Sequence, residues 1–312
     1  MVAADLVALT GATGFLGRHL AARLRQRGLR VRALVRREDP RLEALGVTQL
    51  RGGLESPEAL AALVEGAGSV VHAAGLVRAP GPSAFAAANA QGTARLAEAA
   101  AARAEGTRFL LVSSLAARAP AISPYASSKR RAELELERRA GALVPILLRP
   151  PAIYGPGDRA TLPILAQLAR GWLVAPRARA NRFSLVYVED LAELVVRLVE
   201  QPCEAGTVLE PDDARPGGYG WRDLAEIAAA RTGRRVRLVE LPRPVLAAAA
   251  WMAELGARPL GAAPPISRGK VAELFHPDWL AAGTAGLDWQ PRTGFGDGFE
   301  RTLAWYRAEG WL

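Results

Sequence analysis

Leu6-Val7-Ala8-Leu9-Thr10-Gly11-Ala12-Thr13-Gly14-Phe15-Leu16-Gly17 decides the reading of this chain. Residues 6–9 are a short apolar run, as a buried strand requires. A helical pattern follows over 18–27 and stops at Gly28, and residues 29–35 read as the next strand. The unit is therefore strand, glycine turn, helix, strand. Gly11 allows a tight turn, Gly14 lets the backbone approach a pyrophosphate, and Gly17 lets the helix pack closely on the strand. The helix N-terminus then offers free N–H groups and a partial positive charge to an anion. A glycine pattern alone says little, but between a strand and a helix it is specific.

Working outward, the second strand ends in Val35-Arg36-Arg37. An acidic residue at this place holds a ribose 2′-hydroxyl, whereas arginine suits a 2′-phosphate. The expected cofactor is NADP(H), with NAD(H) as the alternative, Arg36 as the main contact and Arg37 in support. Strand and helix patterns then alternate: strands at 47–50, 69–72, 108–112 and 144–148, helices at 57–64, 83–103 and 124–141. Such alternation predicts a parallel sheet with helices on both faces, binding its ligands beyond the carboxyl ends of the strands. Gly11, Arg36, Ala73 and Ser114 all lie at such ends. Beyond Pro151 the regularity weakens. The expected organisation is a nucleotide-binding domain over 1–150 and a mainly substrate-binding region over 151–312, with about 185–210 returning to the sheet.

The helix at 124–141 carries Tyr125 and Lys129. Four residues apart, they share one helix face. Free tyrosine titrates near 10, and a neighbouring ammonium favours the phenolate. Lowering that value by ~2–3 units takes ~3–4 kcal/mol. The chain has two lysines, Lys129 and Lys270, among forty basic residues, so a compact ammonium is kept here where arginine is written almost everywhere else.

Composition excludes several classes. Cys203 is the single cysteine, so there is no internal disulfide, and His19, His72 and His276 show no metal-ligand spacing. No metal is expected. No apolar run approaches a membrane span, the longest being 245–252, and the N-terminus lacks a signal-peptide pattern. These features predict a soluble cytoplasmic protein without stable membrane insertion. The formal charge of +9 is carried by scattered arginines with no nucleic-acid module, so a small molecule rather than nucleic acid is the expected partner. The alanine-rich helix over 242–256, with Trp251 and Met252, is a membrane-touching or substrate-lining candidate, but such a stripe is more often core, and core is the expectation.

Thr10 to Gly17, Val71-His72-Ala73-Ala74-Gly75, Asn89 with Gly92-Thr93, Ser113-Ser114, Tyr125-x-x-x-Lys129, Leu148-Arg149-Pro150-Pro151 and Tyr154-Gly155-Pro156-Gly157-Asp158 occur in this order. So do Val186 to Ala192 and Gly286 to Pro291. Together they resemble the extended short-chain dehydrogenase/reductase family, also called the NAD-dependent epimerase/dehydratase superfamily. The likeness runs over essentially the whole chain. It implies a doubly wound parallel Rossmann sheet of α/β class with a smaller C-terminal substrate-binding region. It implies Tyr125 as general acid/base, Lys129 holding the nicotinamide ribose, and Ser114 bonding the substrate oxygen, with Ser113 as the alternative. It also implies a cofactor site of Gly11, Thr13, Gly14, Phe15, Leu16, Gly17, Arg36, Arg37, Ala73, Ala74, Gly75, Ser113, Tyr125, Lys129, Pro150 and Ile153. Val77, Ser114 and Ala152 are the substrate-side candidates. Asn89 is a structural or water-relay residue, or a plain helix side chain. Relatives pair through the helices at 83–103 and 124–141, so a homodimer is implied.

The chain departs from the family in three places. Gly52-Gly53-Leu54 stands where the family has Gly-Asp-Leu, so an adenine contact is missing or comes from Glu55. Ala152 replaces an asparagine usual in sugar-nucleotide members, and Phe183-Ser184 stands where they carry Arg-Asp. An apolar substrate fits better, as in the hydroxysteroid dehydrogenase and flavonoid reductase branches. The expected function is NADP-dependent interconversion of a ketone and a secondary alcohol. The alternatives are a nucleotide-sugar epimerase or dehydratase and a non-catalytic nucleotide sensor.

Overall fold

The computed structural model describes residues 5–103, 106–178, 180–284 and 286–312. Two compact units emerge: Met1–Arg149 with Ala192–Leu209, and Pro150–Leu191 with Glu210–Leu312.

The first unit is built on strands β1 (Leu6–Thr10), β2 (Arg30–Val35), β3 (Thr48–Arg51), β4 (Ser69–His72), β5 (Arg108–Val112) and β6 (Val144–Leu148), joined at one edge by Thr207–Leu209. Across the sheet the order is Thr207–Leu209, β6, β5, β4, β1, β2, β3, with every neighbouring pair parallel. The sequence predicts this α/β, doubly wound parallel sheet, and its strand order reverses between β1 and β4. That reversal leaves a crevice beyond the strand ends where ligands bind in such sheets. Thr10 is in register with both Leu34 and His72 there.

Every residue of β1 and of β4 is buried, as expected of strands covered on both faces. One face carries Ala8, Val70, Phe109 and Leu147 against Leu60, Leu63, Leu96 and Leu136 of three helices. Alternation along β1 turns Val7 and Leu9 the other way. There Arg23 of the helix Phe15–Gln26 reaches Glu193 at 2.6 Å, and Arg27 reaches Glu200 at 2.7 Å.

The stretch expected as one long helix over 83–103 is instead three pieces: Pro82–Phe85, a π-helical Ala86–Gln91, and Gly92–Ala101. A π turn inserts an extra residue and rotates the side chains that follow. Here it carries Asn89 into the interior, 2% exposed.

The second unit holds three two-stranded parallel pairs: Ala152–Tyr154 with Leu185–Tyr187, Trp172–Pro176 with Arg237–Leu241, and Arg182–Phe183 with Asp278–Trp279. Its core gathers Tyr154, Leu168, Tyr187, Phe299, Leu303 and Tyr306. The closing helix runs Phe295–Ala308. Three glycines disguise its start. Gly298 is required there, because a Cβ would come within 2.3 Å of the Tyr154 hydroxyl.

A further expectation is overturned. The helix Arg243–Ala257 buries only Ala250. Trp251 is 53% and Met252 67% exposed, so this apolar stripe is not core.

Candidate active site

The glycine turn is shaped by contacts that exclude side chains. Gly11 has φ +75°, and a Cβ on it would come within 2.6 Å of the Ala74 nitrogen. A Cβ on Gly17 would come within 1.9 Å of the Gly11 carbonyl oxygen. The Gly14 N–H donates to the Gly11 carbonyl at 2.9 Å. Gly14 is also the N-cap of Phe15–Gln26, with no side-chain cap and no acidic residue in the first turn. The first-turn N–H groups therefore suit an anion. Thr13 and Gly14 are exposed at this turn, and Phe15 and Leu16 are half-buried. Arg36 and Arg37 are exposed at the end of β2. Beyond β3, the Glu55 carboxylate lies where a side chain on Gly53 would project, 2.2 Å from that Cβ position. The cradle fits a dinucleotide pyrophosphate.

At the end of β4, Ala73 and Ala74 are half-buried and Gly75 and Val77 exposed. The Ala73 N–H donates to the Thr10 carbonyl at 3.2 Å. The turn is pinned from behind by Asn89. Its Oδ1 accepts from the Leu76 N–H at 2.7 Å, and its Nδ2 donates to the Leu76 carbonyl at 3.0 Å and to Ser128 Oγ at 2.8 Å. Of the three roles open to Asn89 from the sequence, these bonds describe a structural one.

Ser123 caps the helix Pro124–Arg139 by accepting from the Ala126 N–H at 3.0 Å, and Pro124 occupies the first turn, where a missing N–H costs nothing. Tyr125, in the first turn, is half-buried, with its ring edge to Phe85 at 6.0 Å. Lys129 is 8% exposed. Its ammonium donates to the Val112 carbonyl at 2.9 Å and lies 3.4 Å from where a Cβ on Gly75 would be. Burial lowers its pKa to about 8, while the charge of Glu133 pulls it upward.

The two serines after β5 have separate tasks. Ser113 is 3% exposed, and its hydroxyl donates to Glu133 Oε1 at 2.6 Å. Ser114 is half-buried and caps the short helix Leu115–Arg118, accepting from the Ala116 N–H at 3.2 Å. Its own hydroxyl proton is left for another acceptor.

Sequence reasoning missed Glu133. This carboxylate is fully buried and takes two parallel hydrogen bonds of 2.9 Å from Arg149, one of 2.9 Å from Arg130 and the one from Ser113. Although burial opposes ionisation, the donors from Arg149, Ser113 and Arg130 hold its pKa below the usual range. The signal was present: Ala126, Lys129, Glu133 and Leu136 fall at helical spacing on the buried side. His72 was also missed. It is 1% exposed between Thr10 Oγ1 at 2.6 Å and Thr93 Oγ1 at 3.0 Å.

The first unit thus brings together the glycine turn, Arg36, Arg37, Ala73 to Val77, Ser113, Ser114, Tyr125 and Lys129. Pro150, Ala152 and Ile153 belong to the second unit, where Pro150 is buried, Ile153 half-buried and Ala152 exposed. Phe183 packs against Trp221 at 5.0 Å. Arg182, beside it, is committed to Asp223 at 2.7 Å and to the carbonyls of Gly217 and Gly218. Among the described residues no group of side chains could hold a metal ion.

The model of the NAD dependent epimerase/dehydratase family matches residues 7–209. Over 313 aligned residues, 99% of this chain and 97% of the relative, the chain is 40% identical to a ceramide reductase of Caulobacter vibrioides. It is 32% identical over 206 residues, 60% of this chain and 62% of the relative, to a 2-alkyl-3-oxoalkanoate reductase of Stenotrophomonas maltophilia. Among solved structures, a UDP-glucose 4-epimerase of Thermotoga maritima superposes with a TM-score of 0.73 at 18% identity, covering 97% of this chain and 99% of the other. That likeness is one of fold. Sheet, glycine turn and relatives together define an oxidoreductase that uses a nicotinamide nucleotide. The chain belongs to the NAD dependent epimerase/dehydratase family, within the extended short-chain dehydrogenases/reductases.

Proposed function

We propose that this protein is an NADP-dependent reductase of a keto group on an apolar, lipid-like substrate, with Tyr125 as general acid, Lys129 as its electrostatic partner and Ser114 as the substrate-oxygen donor. The observation that carries this reading is the buried Lys129 ammonium, fixed to the Val112 carbonyl one helical turn from Tyr125 and just before Ser113-Ser114. A sensor of nucleotide would have no use for that proton-transfer set. The ceramide reductase at 40% identity over nearly the full chain supports the lipid class. The exposed Arg36 and Arg37 support the 2′-phosphate.

When bound, the reduced cofactor supplies a hydride to the carbonyl carbon. Gly11, Gly14 and Gly17 let the backbone hold its pyrophosphate, with Thr13, Phe15 and Leu16 alongside, and Arg36 and Arg37 hold the ribose phosphate. Ala73, Ala74 and Gly75 would border it, and Lys129 would bond the nicotinamide ribose. The family resemblance adds Pro150 and Ile153 as cofactor contacts and Val77 and Ala152 as substrate-side residues. Ser114 donates to the carbonyl oxygen and orients it. Tyr125 gives its phenolic proton to that oxygen as the carbon gains the hydride, so the products are the secondary alcohol and the oxidised nucleotide. The phenolate left behind is stabilised by the Lys129 cation and regains a proton from water.

The test is an assay of NADPH oxidation by the purified protein with a ceramide-type ketone, a short 3-oxoalkanoate and UDP-glucose. Turnover with the lipid ketone, and none with the sugar nucleotide, is the expected result. Cofactor retained through purification, with conversion of the nucleotide sugar and no net NADPH consumption, would overturn it in favour of an epimerase.

A further inference from the structure

The helix Arg243–Ala257 in the second unit presents an apolar face that its own fold leaves uncovered. Eleven large apolar side chains are exposed among the described residues, and five of them fall between 245 and 260. Val245, Met252 and Leu255 are spaced at about two turns and then one, with Trp251 beside them, and Leu260 follows in the turn beyond. They are exposed by 50%, 67%, 51%, 53% and 79% respectively. Isolated exposed apolar residues need no explanation, but a contiguous set marks an interaction surface.

The exposed charges along this segment, 243–260, have one sign. Arg243 opens the helix and Arg258 follows it, both exposed. Glu254, the acidic residue of the helix, is half-buried and spent on Arg268, accepting from its backbone N–H at 2.7 Å and from its Nε at 2.8 Å. The chain as a whole carries +9. A helix that is apolar in the middle, basic at its ends and whose carboxylate is already paired complements an anionic lipid surface. Tryptophan favours the headgroup boundary. Fifteen residues span about 22 Å, and among the described residues no helix is long and apolar enough to cross a membrane. Such a helix lies in the plane of the interface, with its apolar side among the acyl chains.

We propose that the helix Arg243–Ala257, with the turn through Leu260, docks this protein peripherally on an anionic membrane. The inference rests on the helix itself and holds whichever ketone the active site takes. Docking would place the second unit against a pool of apolar molecules without removing the chain from water.

The test is co-sedimentation of the full chain with vesicles of phosphatidylglycerol and phosphatidylcholine, set against vesicles of phosphatidylcholine alone. The expected result is binding to the anionic vesicles that weakens with added salt and is much poorer on neutral ones. A Trp251→Ser/Met252→Ser/Leu255→Ser variant should lose that binding while keeping its melting temperature and NADPH affinity. Arg243→Glu/Arg258→Glu, with the apolar face intact, should weaken anionic partitioning by at least about tenfold. Wild-type protein that stays in the supernatant would overturn the proposal, and so would a serine variant that still pellets. So would a wild-type dimer that the serine substitutions convert to monomer, since a second copy would then be what covers the face.

Discussion

Lys129 donates a 2.9 Å hydrogen bond to the carbonyl of Val112, the last residue of β5, and so ties the helix of Tyr125 to the strand end that carries Ser114. The ammonium is nearly excluded from water, and its charge is held up by Glu133, one helical turn further on. Burial sets its pKa near 8, below the ordinary 10.5. In the proposed mechanism reduction requires that charge, so kcat/KM should fall as pH rises through about 8. Glu133→Gln removes the supporting negative charge and should move the falling limb to lower pH. The limb is not unfolding. Between the folded and unfolded pKa values the unfolded chain binds the extra proton, so this group makes stability rise with pH in that window. A pH–rate profile with parallel thermal melts checks both points, and an unmoved limb in Glu133→Gln removes the electrostatic role.

Tyr125→Phe deletes the proton and leaves the ring that meets Phe85. Turnover should drop by about 10²–10⁴, the usual worth of a general acid. The NADPH dissociation constant, read by fluorescence titration, should not change. Residual activity near the wild-type rate would remove Tyr125 from the mechanism.

Arg36→Ala should separate the two nucleotides. A charge-assisted contact to a phosphate contributes about 1.5–3 kcal/mol, so NADPH should weaken by roughly 10–100-fold. NADH, which lacks that phosphate, should weaken little. Equal losses in calorimetric titrations would assign the arginine to some other task.

Gly17→Ala should destabilise the first unit by about 3 kcal/mol, because the new methyl meets backbone that cannot turn aside. Its Cβ falls 1.9 Å from the Gly11 oxygen and 2.6 Å from the Gly11 carbonyl carbon. The same substitution at Gly256, where nothing lies within 4 Å, should raise stability by about 0.5–1 kcal/mol. Thermal melts with and without NADPH distinguish the two. Gly17→Ala should also lose the stabilisation by nucleotide.

His72 should stay neutral far below the usual histidine range. The Thr93 hydroxyl donates to the Asn89 carbonyl at 2.6 Å, so it accepts from His72 Nε2–H. Nδ1 then accepts from the Thr10 hydroxyl, which in turn accepts from the Ala74 N–H at 3.3 Å. Burial, reinforced by the Lys129 charge, lowers the pKa to about 3. Below pH 6.5 the unfolded chain takes up a proton that the folded one refuses. Stability should therefore fall by an amount on the order of 4 kcal/mol as pH drops toward 3. His72→Gln should be less stable at pH 7 and show a shallower fall on acidification in urea melts. Imidazole nitrogen shifts that titrate near pH 6 would refute the buried neutral form.

The sequence alone determined the large sheet, because that information is local. A strand buried on both faces needs only a short apolar run, the glycine turn needs three residues without side chains, and each helix announces its face by spacing. β1 to β6 could be placed from such patterns, and Arg36, Tyr125 and Lys129 could be proposed from position along the chain. Tertiary structure decided what depends on partners far away in sequence. The division of labour between Ser113 and Ser114 was open until Glu133, twenty residues on, claimed the first hydroxyl. Asn89 could be assigned only once the π turn carried it to Leu76, since a single inserted residue in a long alanine-rich helix leaves little trace in the apolar spacing. Trp251 and Met252 carry the same stripe a core helix would, and only their exposure in the folded chain shows that they face out. Hydrophobic spacing specifies which side of an element is apolar; what covers that side is a property of the whole fold.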